Sequence, residues 1–391
     1  MSSSSTMAID KPEKLDVETY LTTALSATPQ ELHPFFEAFQ SLHQRKLWHQ
    51  LTQKLFEFFR HELSKPYRVD VFSRFVRDFE ERLNPLKLVE MGVFVSKEID
   101  NPATHLAFLT SLLSRIDIEK SPEAHILLLS SLAHAKLLYG DLEGTRSDID
   151  NAWKVLDDLD GVDPSVNAGY YSVAADYYKA KADFGQYYKN SLLYLACIDP
   201  MVDLAPDDRI LRAHNLSVAA LIGDTIYNFG ELLMHPILSS LDGTTHEWIK
   251  KLLFTFNAGD IGKFEALAPV FPKEPILQEN YPFLRQKICL MALIDSVFRR
   301  NADSRTITFQ TISEETRLPL NDVEHLMMKA FSLGLLRGSL DEIDQTARIT
   351  WVQPRVLDRT QIGALADRLK AWTDKLKSVE QRITPELLTT A

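Results

Sequence analysis

Within Thr306–Gln353 the chain passes from a period of two to a helical period and back again, and few folds accept that order of elements. Thr306-Ile-Thr-Phe309 alternates like a short strand. A short helix is expected from Gln310 to Thr316, with a turn at Leu318-Pro319. The next helix, Leu320 to Leu333, carries Val323, Leu326, Met327, Ala330 and Phe331 at helical spacing, which makes one face apolar. Gly334 is placed to end it. Two strand-like runs follow, Leu335–Leu340 and Ala347–Val352, joined by the polar loop Asp341–Thr346. In the second run Ala347, Ile349 and Trp351 share one face by alternation. Strand, helix, turn, helix and hairpin make a winged helix, with Val323, Leu326, Met327, Phe331, Ile349 and Trp351 as its expected core.

Winged helices often read DNA, so charge decides the next question. The module carries Arg317, Lys329, Arg337 and Arg348 against Glu314, Glu315, Asp322, Glu324, Asp341, Glu342 and Asp344, a balance of −3. Asp322 and Glu324 stand where a recognition helix would meet base edges, and three acids occupy the wing tip. Phosphate binding draws its affinity from Lys and Arg, so this sign argues against nucleic acid. The whole chain, 391 residues with net charge −11, argues the same way for nucleic acid and for anionic membrane.

That length suffices for two or three domains with a large core. No run approaches the apolar length of a membrane span. The first residues, Met1-Ser-Ser-Ser-Ser-Thr6, lack the regions of a signal peptide, and residues 1–14 are expected to form a disordered tail. Cys197 and Cys289 are the two cysteines, too far apart for a CxxC motif; they read as reduced, buried thiols.

From Val17 to Leu267 the pattern is almost wholly helical. Phe35, Phe36, Phe39 and Leu42 repeat at three and four, as do Leu47, Leu51, Leu55, Phe58 and Phe59. Asn101-Pro102 and Ser121-Pro122 mark helix starts, with Asn or Ser as caps. Turns at Tyr139–Asp141, Ala182–Phe184, Asn228–Glu231 and Asn257–Asp260 each have helical pattern on both sides. Helix pairs at such intervals point to a degenerate, tetratricopeptide-like solenoid over residues 15–275. Tyr170, Tyr171, Tyr177, Tyr178, Tyr187 and Tyr188 are expected to pack within and between repeats. A helix from Pro282 to Arg300 then leads without a flexible linker into the winged helix, assigned to residues 276–355.

Residues 356–391 are distinct. Ile362, Leu365, Leu369, Trp372, Leu376 and Val379 are spaced three, four, three, four, three, a narrow heptad seam. A helix of about three heptads is marginal alone, so this edge needs a partner, either its own domain or a bundle with other chains.

Catalytic and metal motifs are absent. His61-Glu62 and His246-Glu247 each begin a metalloprotease pattern, but Lys65 and Lys250 stand where the second histidine belongs. Gly259-Asp-Ile-Gly-Lys263 lacks the first glycine of a phosphate loop, at Asn257, and the following Ser or Thr; it reads as a helix–turn–helix corner. No catalytic residue, metal ligand or cofactor-binding residue is therefore assigned.

Helical repeats, a winged helix and a terminal bundle helix together resemble the PCI family. Lys46-Leu-Trp-His-Gln-Leu-Thr52, Asn228-Phe-Gly-Glu-Leu-Leu-Met-His-Pro236, Gly338-Ser-Leu-Asp-Glu-Ile-Asp344 and Thr350-Trp-Val-Gln-Pro-Arg-Val-Leu357 resemble the members found in the proteasome lid. The resemblance implies a mainly α fold, with a PCI domain over about residues 170–355, and a non-catalytic scaffold without cofactors. It also implies winged helices meeting edge to edge, and a C-terminal bundle shared with other PCI subunits and with MPN-domain subunits. It places a ubiquitin receptor subunit near the N-terminal solenoid, no nucleic acid or membrane, and residence in cytoplasm and nucleus. PCI scaffolds of the COP9 signalosome or of translation initiation factor 3 are the alternative.

Overall fold

The computed structural model describes residues 17–300, 305–354 and 359–388. The expected tail at residues 1–14 lies outside them. The chain divides into two compact units, one of residues up to Ala182 with Leu193–Ile198, the other of Asp183–Leu192 with Asp199 onward.

The first unit is helical. Helices α1 (Val17–Ala27), α2 (His33–Gln44), α3 (Trp48–Arg60), α4 (Pro85–Ser96) and α5 (Pro102–Leu113) surround a core rich in phenylalanine. Phe36, Phe39, Phe58, Phe59 and Phe75 are fully buried, with Phe39 stacked on Phe75 at 5.6 Å and Phe36 edge-on to Phe58 at 5.5 Å. Aromatic pairs in these geometries add roughly 0.5–1.5 kcal/mol beyond their burial. Buried Arg68 ties the end of this layer together: it donates to Ser64 Oγ and the His61 carbonyl, both at 2.9 Å, and pairs with Glu98.

Next come α6 (Pro122–Leu138), α7 (Leu142–Asp157) and α8 (Pro164–Ala180), packed around Ile126, Leu129, Ile149, Leu156, Val166, Tyr170 and Tyr177. The α6–α7 corner falls at the predicted Tyr139–Asp141, where the Asp141 carboxylate caps α7 through the amide of Gly144 at 2.9 Å. Asn101 caps α5 through the amide of Ala103, whereas Ser121 makes no side-chain cap. Tyr170, Tyr177, Tyr187 and Tyr188 are buried, and Tyr171 and Tyr178 half-buried.

The second unit contains most of α9 (Phe184–Cys197) and then α10 (Pro206–Ile222). The turn expected at Asn228–Glu231 is not a simple corner. One short helix, Gly230–Met234, is followed by a 3₁₀ stretch, Pro236–Leu241, before α11 (Glu247–Ala258). Proline at 236 cannot continue a helix and bars α conformation at His235, which is extended with ψ 134. The corner at Asn257–Asp260 does form: Asp260 caps α12 (Ile261–Leu267) through the Lys263 amide at 3.0 Å. The short α13 (Pro275–Glu279) precedes α14 (Tyr281–Arg299). In α14 the six consecutive residues Cys289–Ile294 are buried, so the helix is enclosed on all sides over that stretch. It packs against α10, α11 and α12 as well as the winged-helix elements, which makes it a shared core rather than a linker.

The winged helix consists of β1 (Thr306–Thr308), α15 (Phe309–Thr316), α16 (Leu320–Ser332), β2 (Leu336–Asp341) and β3 (Thr346–Val352), with antiparallel strand order β1-β3-β2. Past α16, Gly334 has φ +68 and donates to the Phe331 carbonyl, while Leu335 donates to that of Ala330. These two bonds form a Schellman motif that satisfies the helix's last carbonyls. Val323, Leu326, Met327 and Ile349 are buried, and Phe331 is half-buried.

Trp351 is not in this core; it is 36% exposed. Arg337 pairs with Trp351 but the adjacent Gly338 pairs with Ile349, so Thr350 is an extra residue in β3. That bulge reverses the alternation, putting Trp351 on the outer face beneath the Arg337 guanidinium, 4.8 Å from the ring centre. Gly338 is required there, since a Cβ would lie 2.2 Å from the Arg348 carbonyl oxygen. The terminal helix α17 (Arg359–Leu388) completes the described residues.

Candidate functional site

Helix α17 is 30 residues long, about 45 Å at the standard rise. Its predicted seam, Ile362, Leu365, Leu369, Trp372, Leu376 and Val379, is exposed throughout, from 44% at Leu365 to 65% at Trp372. Packing back onto its own domain is therefore not what these residues do in the isolated chain. Large side chains recurring along one edge form a continuous apolar strip, the kind of surface that marks a protein interface.

The winged helix presents a second surface. Leu320, Met328 and Leu333 of the α16 segment are exposed, as is Ile343 at the wing tip, at 95%. Asp341, Glu342 and Asp344 surround that isoleucine and are exposed too. A phosphate-binding wing needs the reverse charge. The outer edges of β1 and β2 have no strand partner among the described residues.

Lys287 is a buried cation of this unit, 1% exposed on α14. Its Nζ donates to the carbonyls of Ala220 (2.8 Å), Leu221 (2.9 Å) and Gly223 (2.7 Å), closing the C-terminal end of α10. The rings of Tyr227, Phe229 and Phe283 enclose it at 5.4–5.8 Å. Burial pulls the ammonium down to about 7, with Asp224 opposing the shift. With every N–H spent on a backbone carbonyl and the side chain shut off from solvent, the lysine serves as a helix cap. Burial also pushes the Cys197 and Cys289 thiols up, away from the reactive thiolate.

One cluster was invisible in the sequence. His214 of α10, His246 at the start of α11 and Glu274 just before α13 converge, their donor atoms all within 4.8 Å of one another. His214 Nε2 lies 2.7 Å and His246 Nδ1 3.9 Å from the same oxygen, Glu274 Oε1. The imidazoles meet edge to face, centres 4.5 Å apart. No local motif links the three, because each sits on a different element; only the fold brings them together.

Comparison with known proteins agrees with these elements. Residues 265–351 match the PCI domain, so the chain is a PCI-domain protein. Residues 35–253 match the PSD13 N-terminal repeats. A probable 26S proteasome regulatory subunit rpn9 of Schizosaccharomyces pombe is 40% identical over 371 residues, covering 95% of this chain and 97% of the relative. The 26S proteasome regulatory subunit RPN9 of Saccharomyces cerevisiae is 37% identical over 381 residues, covering 94% and 96%. A translation initiation factor 3 subunit M of Coccidioides immitis is more distant, 21% identical over 292 residues, 73% of this chain and 61% of that one. The chain belongs to the PSD13 family of PCI-domain proteins. Among the described residues, no helix is long and apolar enough to cross a membrane.

Proposed function

We propose that this chain is a non-catalytic scaffold of the 26S proteasome lid, supporting lid assembly and ubiquitin-dependent protein degradation. The observation that carries the reading is the uncovered heptad seam of α17. Fully burying one Leu or Ile side chain contributes roughly 1.5–3 kcal/mol, so six such positions supply a strong drive to join a helical bundle. Other PCI subunits and MPN-domain subunits are the partners this assigns to Ile362, Leu365, Leu369, Trp372, Leu376 and Val379. The free β2 edge and the exposed α16 side chains give the winged helix a second attachment to a neighbour, by strand addition and apolar contact. Two linked contacts raise effective concentration without either being strong alone.

In this reading repeats occupy residues 15–275, the winged helix 276–355 and the bundle helix 356–391. A ubiquitin receptor subunit lies near the N-terminal repeats. The protein works in cytoplasm and nucleus with no catalytic cofactor, nucleic acid or membrane. The supporting relatives are named as 26S proteasome regulatory subunits over nearly their whole length, whereas the initiation-factor relative aligns at half that identity. Affinity purification of the tagged chain from its own cells, with mass spectrometry of its partners, tests the proposal. Lid subunits should co-purify in equal amounts; recovery with initiation-factor or signalosome subunits instead would replace it.

A further inference from the structure

We propose that His214, His246 and Glu274 form a binding site for a divalent transition metal of the zinc class. Two imidazoles and one carboxylate are a ligand set that Zn²⁺ accepts with its fourth position open to water. Metal–ligand bonds of about 2.0–2.2 Å in tetrahedral array put ligand atoms about 3.4 Å apart. Here the two nitrogen–oxygen separations, 2.7 and 3.9 Å, bracket that value, and all three donors lie within 4.8 Å. Bringing donors up to 4.8 Å apart to that spacing asks for about 1.4 Å of combined side-chain movement, which rotation of the part-exposed His246 ring can supply.

The backbone is already held. The Glu274 amide donates to the Phe271 carbonyl at 2.9 Å, and its own carbonyl accepts from Leu277 at 3.0 Å. Trp248, two residues past His246, packs on buried Phe271, three residues before Glu274, at 6.2 Å, clamping both ligand-bearing segments. His214 is fixed within α10. Its second nitrogen, Nδ1, lies 3.5 Å from Asn215 Oδ1. A proton on Nδ1 turned to that oxygen leaves the Nε2 lone pair for a metal, the outer hydrogen bond that metal-bound histidines commonly make. The His246 side chain is 37% exposed, so an ion reaches the cluster from solvent and a water completes the shell, while His214 and Glu274 are at 16 and 18%. A bound ion would cross-link α10, α11 and the segment entering α13.

The inference is independent of the lid assignment. Equilibrium dialysis of the full-length chain against Zn²⁺ should find one bound equivalent that His246→Asn and Glu274→Gln both abolish. Titration with Co²⁺ should give the intense visible absorption of a four- or five-coordinate ion in the wild type and none in the variants. Zn²⁺, and not Mg²⁺, should raise the thermal transition of the wild type alone, and acid should release the ion, because its imidazole ligands must be neutral. The His246→Asn change lies at a part-exposed position, and its fold is checked by its metal-free melting curve. Wild type that takes up no zinc, or takes up as much as both variants, would leave only a His–Glu hydrogen bond and overturn the proposal.

Discussion

Replacing Lys287 by methionine tests how the second unit is held together. Methionine keeps an unbranched apolar stem, one atom shorter, but cannot donate to the carbonyls of Ala220, Leu221 and Gly223. Leaving a buried carbonyl without its donor costs about 1–3 kcal/mol. Methionine recovers part of this, because an ammonium no longer has to be kept from water. The net loss expected is about 2–4 kcal/mol, read by urea unfolding at pH 7. The pH dependence has a definite sign. Burial lowers the folded-state ammonium from 10.5 to about 7, so above about 7 the unfolded chain holds a proton that the folded chain sheds. Stability from this group is therefore lowest below pH 7 and rises towards 10.5, by at most about 1.4 kcal/mol per pH unit. The gap between wild type and Lys287→Met should widen from pH 7 to pH 9. A loss below about 1 kcal/mol would remove the capping role assigned to the three bonds, and a gap that narrows with rising pH would contradict the sign of the shift.

Other perturbations separate core from surface. Leu326→Ala, at a 4% exposed position in α16, should cost about 2–5 kcal/mol; an unchanged melting temperature would show that the core has been misplaced. Gly338→Ala must push a Cβ against the Arg348 carbonyl at the bulge and should cost about 1–3 kcal/mol, measured by the same melt; wild-type stability would mean that the strand relaxes freely there. Binding to duplex DNA should be negligible at physiological salt, and a steep salt-dependent affinity in a fluorescence titration would reopen the nucleic-acid reading.

Periodicity was a good guide where it was strong and local. The apolar stripe of α16 and the stop at Gly334 appear in the folded chain within a residue of their expected places, because a Schellman end depends on one glycine and its immediate neighbours. The α17 seam was equally plain, since six side chains at heptad spacing define one edge of a helix whatever surrounds it. Trp351 was misassigned because strict alternation cannot register an extra residue such as Thr350. The irregular stretch around Asn228–Leu241 was smoothed into a corner, although Pro236 already forbade a continuous helix there. Lys287 gave no clear signal, since Arg285, Gln286 and Arg299 share its helix and periodicity alone does not say which cation is buried. The histidine–glutamate cluster gave none, since its members meet only through the packing of three separate elements.

Because Leu369 is 56% exposed, aspartate at this position should leave the isolated chain's melting curve within about 0.5 kcal/mol of wild type. In a bundle the same carboxylate would be buried without a partner, at a cost of several kcal/mol. The decisive measurement is glycerol-gradient sedimentation of cell extract carrying tagged Leu369→Asp beside tagged wild type. Wild type should migrate with the proteasome regulatory particle while the folded variant stays near the top as free chain. Equal amounts of both in the heavy fractions would show that α17 is not what fastens this protein to its neighbours.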